Sequence, residues 1–135
     1  MMKIEHIGIA VKDLNISNEL MNKLLGKPAY KEESVEGEAV KTSFFEIGES
    51  KIELLEATAE NSAIAKYLEK NREGVHHIAF AVDDMQSEIQ RLKNEGFQFI
   101  SETPKEGADN KMVVFLHPKS TNGVLVELCC DRKVL

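Results

Sequence analysis

"GVHHIAFAV", residues Gly74 to Val82, carries two adjacent histidines into a run that reads as a β-strand. Seventy-one positions earlier, "IEHIGIAV", residues 4–11, is a near copy with one histidine. Laying His6 on His77 also lays Val11 on Val82 and Asp13 on Asp84, and brings Gly26 close to Gly96. A match that runs through strand, helix start and closing glycine is the signature of an internal repeat, and a repeat decides the fold before any single element does.

Working outward from the first copy, "KDLNISNELMNKLLG" changes period from two to that of a helix. Leu14, Leu20, Met21, Leu24 and Leu25 form its predicted apolar face, Asp13 or Asn15 its cap, and Gly26 with Pro28 its end. Residues 29–35, 39–47 and "SKIELLEA" (residues 50–57) read as three strands. After the second copy, "DDMQSEIQRLKNEG" predicts a helix that buries Met85, Ile89 and Leu92. "FQFIS", "KMVVFLHP" and "GVLVELCC" supply three more strands. "ENSAIAKYLEKNRE" between the halves is a connecting helix. The reading is one α+β domain over 1–135: a β-α-β-β-β module over about 2–57, a connector over about 60–72, and a second module over about 74–130. Paired modules place the helices outside and curve a mostly antiparallel sheet around a cleft, where polar groups from both halves can converge.

The composition limits the function classes. A chain of 135 residues with 42% apolar and 30% charged residues can bury one core without staples. A net charge of −6 argues against nucleic acid as a partner. No apolar run reaches the ~18 residues of a membrane span. The opening "MMKIEHIGIA" lacks the layout of a secretion signal, and the two thiols fit a reducing compartment, so the cytoplasm is expected. Cys129 and Cys130, neighbours in an extended segment, should face opposite ways and stay unpaired.

Along the repeated strands His6 and His77 share a phase, each followed two positions later by a small residue, Gly8 or Ala79. The bulkier Ile7, Ile9, Val11 and Ile78, Phe80, Val82 take the other phase, under the helices. His76 falls in that second phase and reads as structural or solvent-facing. The last strand of each module sets a carboxylate within an apolar run: Glu53 between Ile52 and Leu54, Glu127 between Val126 and Leu128. Such a position is costly for a glutamate unless it is paired or coordinated. The separations agree, 47 residues from His6 to Glu53 and 50 from His77 to Glu127. His6, Glu53, His77 and Glu127 are therefore the candidate ligands of one divalent ion, with Co, Ni, Mn or Zn suited to two imidazoles and two carboxylates. Glu56 has no counterpart in the second module and reads as surface.

The segments "IEHIGIAVKDL", "GESKIELLEA", "NSAIAKYLEKN", "GVHHIAFAVDD" and "FLHPKSTNGVLVEL" together resemble the vicinal oxygen chelate superfamily. Within it they are most similar to the methylmalonyl-CoA epimerases. The "HPK" before "GVLVEL" and the connector are the discriminating parts, since glyoxalases tend to carry an Asp-Pro-Asp-Gly turn there. The resemblance implies the same four metal ligands, a CoA thioester substrate inverted at its α-carbon through an enolate, a homodimer, and a place in propionate metabolism. Glu127 is then the leading base and Glu53 its symmetric alternative. Some relatives carry a further glutamate on the strand before "IELLE"; the nearest position here is Lys41, a second proton-transfer or substrate-binding group only if its pKa is lowered. Lys119 in "HPKSTNG" is a candidate for a substrate phosphate or carboxylate, or a plain turn lysine, and His117 is structural. The alternatives are a glyoxalase-type isomerase, which moves a proton beside a carbonyl with the same ligand types, and a non-catalytic antibiotic-binding protein of the same fold.

Overall fold

The computed structural model describes residues 2–132. The chain divides into two compact units: residues 6–76, and the described residues of Met1–Glu5 and His77–Leu135.

The unit of residues 6–76 contains β1 (Lys3–Ala10, from His6 onward), α1 (Leu14–Leu25), β2 (Lys31–Val35), β3 (Val40–Ile47), β4 (Ser50–Ala57) and α2 (Ala63–Lys70). Its strands lie in the order β2-β3-β4-β1, antiparallel except for the parallel pair β4–β1. Asp13 caps α1 by accepting from the Ile16 N–H at 3.1 Å, and Gly26, at φ 76°, closes it in the left-handed conformation glycine tolerates best. Alternation along the strands then assigns the two sheet faces. Ile9, Val11, Phe45, Ile52 and Leu54 pack with Leu14, Met21 and Leu25 of α1. On the opposite face Ala10, Val40 and Leu55 pack with Ile64, Tyr67 and Leu68 of α2. Ser62 caps α2 and is itself buried.

Two expectations for α1 need correction. Leu20 and Leu24 are not in the core: they are 64% and 73% exposed, with Ile16 at 67%. The helix carries two apolar stripes at helical spacing, Leu14-Met21-Leu25 and Ile16-Leu20-Leu24, and the sheet takes only the first. Glu56 is not simply surface, because its carboxylate accepts from the Leu14 N–H at 3.0 Å and so satisfies a first-turn donor of α1.

The second unit contains β5 (Gly74–Ala81, from His77 onward), α3 (Met85–Asn94), β6 (Lys105–Glu106), β7 (Lys111–Phe115) and β8 (Val126–Asp131), in the sheet order β5-β8-β7-β6. Only β5–β8 is parallel. Asp84 caps α3 as Asp13 caps α1, and Met85, Ile89 and Leu92 are buried as expected, against Val82, Val114, Leu116, Leu128 and Cys130. Cys129 lies on the other face with Ala79 and Val113; neither cysteine is in a disulfide, and burial pushes the Cys130 thiol up. The expected strand "FQFIS" does not form. Phe99 makes a single bridge to Leu116, and regular pairing resumes only at Lys105. Pro104 lies in the gap and has no N–H for a ladder, while His117 leaves the facing strand into a short 3-10 turn at Pro118–Ser120.

Candidate metal-binding and active site

Each unit sets one histidine–glutamate pair on the sheet face away from α1 or α3. In the parallel ladder β1–β4, Gly8 stands opposite Glu53 and His6 opposite Lys51. The His6 Nδ1 lies 3.1 Å from a Glu53 carboxylate oxygen, with the two residues each 4% exposed. In the ladder β5–β8, Ala79 stands opposite Glu127, and His77 Nε2 lies 3.3 Å from a Glu127 oxygen, both residues 5% exposed. The small residue two positions after each histidine is thus the ladder neighbour of the glutamate, which leaves room beside the carboxylate.

The correspondence extends one strand further. Phe44 on β3 is registered opposite Glu53, and Phe115 on β7 opposite Glu127. Phe115 meets His77 edge-on at 5.9 Å between ring centroids. Lys31 and Lys51 stand over the Phe44 ring at 5.3 and 5.9 Å, and Lys105 over that of Phe115 at 6.0 Å. A buried carboxylate beside an imidazole, walled by an aromatic ring, is well placed to give both groups to a cation, because imidazole nitrogen and carboxylate oxygen are ordinary ligands of borderline divalent ions. Neither pair includes a thiolate, so the donor set suits Co, Ni, Mn or Zn without redox chemistry.

The other candidates lie elsewhere. Lys41 is registered opposite Glu56, and its Nζ lies 3.5 Å from Glu32, whose carboxylate accepts from Asn18 of α1. Lys41 therefore lies on the α1 face, out of phase with Glu53; the residue of β3 that shares the Glu53 face is Thr42, opposite Leu55. The slip is one residue, enough to turn a strand side chain to the other side of its sheet. Lys119 is exposed in the turn between β7 and β8, where His117 Nδ1 accepts from its N–H at 3.1 Å, a structural role for that histidine. His76 is half-buried edge-on to Tyr67, at 5.1 Å, and burial lowers its pKa. Glu5 is also buried, 6% exposed, and only its place beside His6 in sequence draws attention to it.

Residues 5–115 match the Glyoxalase/Bleomycin resistance protein/Dioxygenase superfamily. A methylmalonyl-CoA epimerase of Dictyostelium discoideum is 41% identical over 127 residues, 93% of this chain and 76% of that protein. An ethylmalonyl-CoA/methylmalonyl-CoA epimerase of Cereibacter sphaeroides is 40% identical over 128 residues, 93% of this chain and 96% of that one. A solved methylmalonyl-CoA epimerase in complex with methylmalonyl-CoA and NH4+ superposes with a TM-score of 0.92 at 36% identity, covering 99% of this chain and 97% of that chain. The chain belongs to the methylmalonyl-CoA epimerase family of this superfamily.

Proposed function

We propose that this chain epimerises methylmalonyl-CoA, inverting the carbon between thioester and carboxylate by removing its proton and returning one to the opposite face. The observation that carries the reading is the duplicated buried pair, His6–Glu53 and His77–Glu127, in a chain of this family. His6, Glu53, His77 and Glu127 would together hold one divalent ion. When bound, such an ion supplies a Lewis acid that offsets negative charge developing on the thioester oxygen.

The protein's own groups then have three tasks. The histidines present neutral nitrogens and keep the carboxylates oriented. Glu127 is the leading base for the α-proton, with Glu53 its symmetric counterpart, because inversion needs a proton acceptor on one face and a donor on the other. Buried strand positions exclude water, so the enolate is returned a proton by these groups rather than lost to side reactions. Lys119, exposed and cationic, is offered to an anionic group of the CoA moiety. Lys41 has no part in this scheme. A homodimer and a cytoplasmic location belong to the same reading; two cysteines outside any disulfide agree with the second.

Incubation with methylmalonyl-CoA in deuterium oxide, with and without chelator, tests it. Deuterium should enter at the α-carbon and chelator should stop it. Turnover of the methylglyoxal hemithioacetal, with none of methylmalonyl-CoA, would replace this reading with a glyoxalase-type isomerase.

A further inference from the structure

Strand β3 carries two consecutive hydroxyls, Thr42 and Ser43, both 0% exposed. Among the described residues neither Oγ has a hydrogen-bond partner. A buried hydroxyl without a partner costs stability, so each position would be better filled by an apolar side chain unless the hydroxyl serves something else. The second unit supplies that comparison. Phe115 occupies the place of Phe44, and the residues at the places of Thr42 and Ser43 are Val113 and Val114, also buried. Valine and threonine have nearly the same shape, so packing alone does not call for the hydroxyl of Thr42.

The two differ in where they point. Ser43 is registered opposite Leu54, which packs with α1, and so lies in the helix-side core. Thr42 is registered opposite Leu55, which packs with α2, and shares the face of Phe44 and Glu53, two residues along the strand from the position opposite Glu53. Its side chain lies on the side of the sheet that carries the His6–Glu53 pair. Oγ1 is fully covered, so an acceptor reaches it only by displacing part of the wall of that face, which favours a small group. A carboxylate oxygen is such an acceptor and rewards a hydroxyl donor more than a neutral oxygen does; an adenine or a pantetheine chain is too large.

We propose that Thr42 is a substrate-binding residue whose hydroxyl donates to the free carboxylate of a malonyl-type thioester. This rests on the function proposed above and adds the group that selects for the carboxylate. Ser43 is the internal control, equally buried and unpartnered but on the other face.

The test measures binding of malonyl-CoA, which has the carboxylate, and of propionyl-CoA, which lacks it, to the metal-loaded protein. The wild type should prefer malonyl-CoA. Thr42→Val should lose about tenfold of that preference, with propionyl-CoA binding unchanged and a melting temperature no lower than the wild type's. Thr42→Ser should keep the preference, as should Ser43→Ala. A preference unchanged in Thr42→Val, or lost equally in Thr42→Ser, overturns the inference and leaves the epimerase reading intact. A wild type that does not distinguish the two thioesters overturns that reading and this inference with it.

Discussion

The doublet His76-His77 shows how much one position of strand phase decides. His77 lies 3.3 Å from the Glu127 carboxylate, while its neighbour packs edge-on against Tyr67. With His77 a ligand of the proposed divalent ion, His77→Ala should lower affinity for it by more than the roughly 10–100-fold that follows loss of a mere supporting hydrogen bond, and His76→Ala should leave metal content unchanged. Metal analysis of the two purified variants after dialysis checks this, and equal loss in both would refute the assignment. His76 carries a separate prediction. Burial lowers its pKa from the usual 6.5, so the unfolded chain takes up this proton at a higher pH than the folded one. Its neutral form contributes fully above about pH 6.5, and that contribution declines as pH falls through 6.5 toward the lower folded-state value. His76→Phe, which keeps an aromatic ring against Tyr67, should lose less stability than the wild type between pH 7 and 5. Thermal melts of both proteins across that range decide it, and parallel curves would contradict the prediction.

At the scale of elements, the caps and buried faces of the helices were legible where one residue type had one local use. Asp13 and Asp84 cap their helices, and Met85, Ile89 and Leu92 form a single stripe. The outward-facing half of α1 was not legible, since Ile16, Leu20 and Leu24 have the same spacing as a core stripe and only the sheet's position chooses between them. The strand expected over "FQFIS" fails for a related reason: it has strand composition, but Pro104 and the turn at Pro118 leave it little ladder to join. Lys41 lies one residue out of phase with the expectation because a strand without strict alternation does not announce its own phase. The turn into β3 hides a further cost. Ala39 sits at φ 52° and ψ 49°, a left-handed conformation that a side chain with a Cβ enters at a penalty of ~1–2 kcal/mol. Ala39→Gly relieves that penalty and returns ~0.4–1 kcal/mol through a freer unfolded chain. A net gain of about 0.5 kcal/mol is expected, seen as a higher denaturant midpoint with unchanged slope. A lower midpoint would mean that the turn is not held in this conformation.

At the scale of the whole chain, the repeat made the candidate site readable: two histidines and two glutamates recur in matched strands, and their registers against Gly8, Ala79, Phe44 and Phe115 match as well. Burying two carboxylates beside two imidazoles has a thermodynamic consequence that does not depend on catalysis. An ion that binds these groups in the folded chain and not in the unfolded one stabilises folding by mass action, ~2.7 kcal/mol at a hundredfold excess over its dissociation constant. For a domain of this length, with an unfolding entropy of ~2.1 cal/mol/K per residue, that corresponds to a melting shift of about 9 °C. Chelator should therefore lower the melting temperature of the metal-loaded wild type by several degrees, and re-addition of Co, Ni, Mn or Zn should restore it in an order that ranks their affinities. If the proposed single ion is held by both imidazoles, His6→Ala and His77→Ala should each melt at a temperature insensitive to chelator. If one variant kept the full shift, the two pairs would not share one ion, and the four residues would have to be reassigned as separate sites.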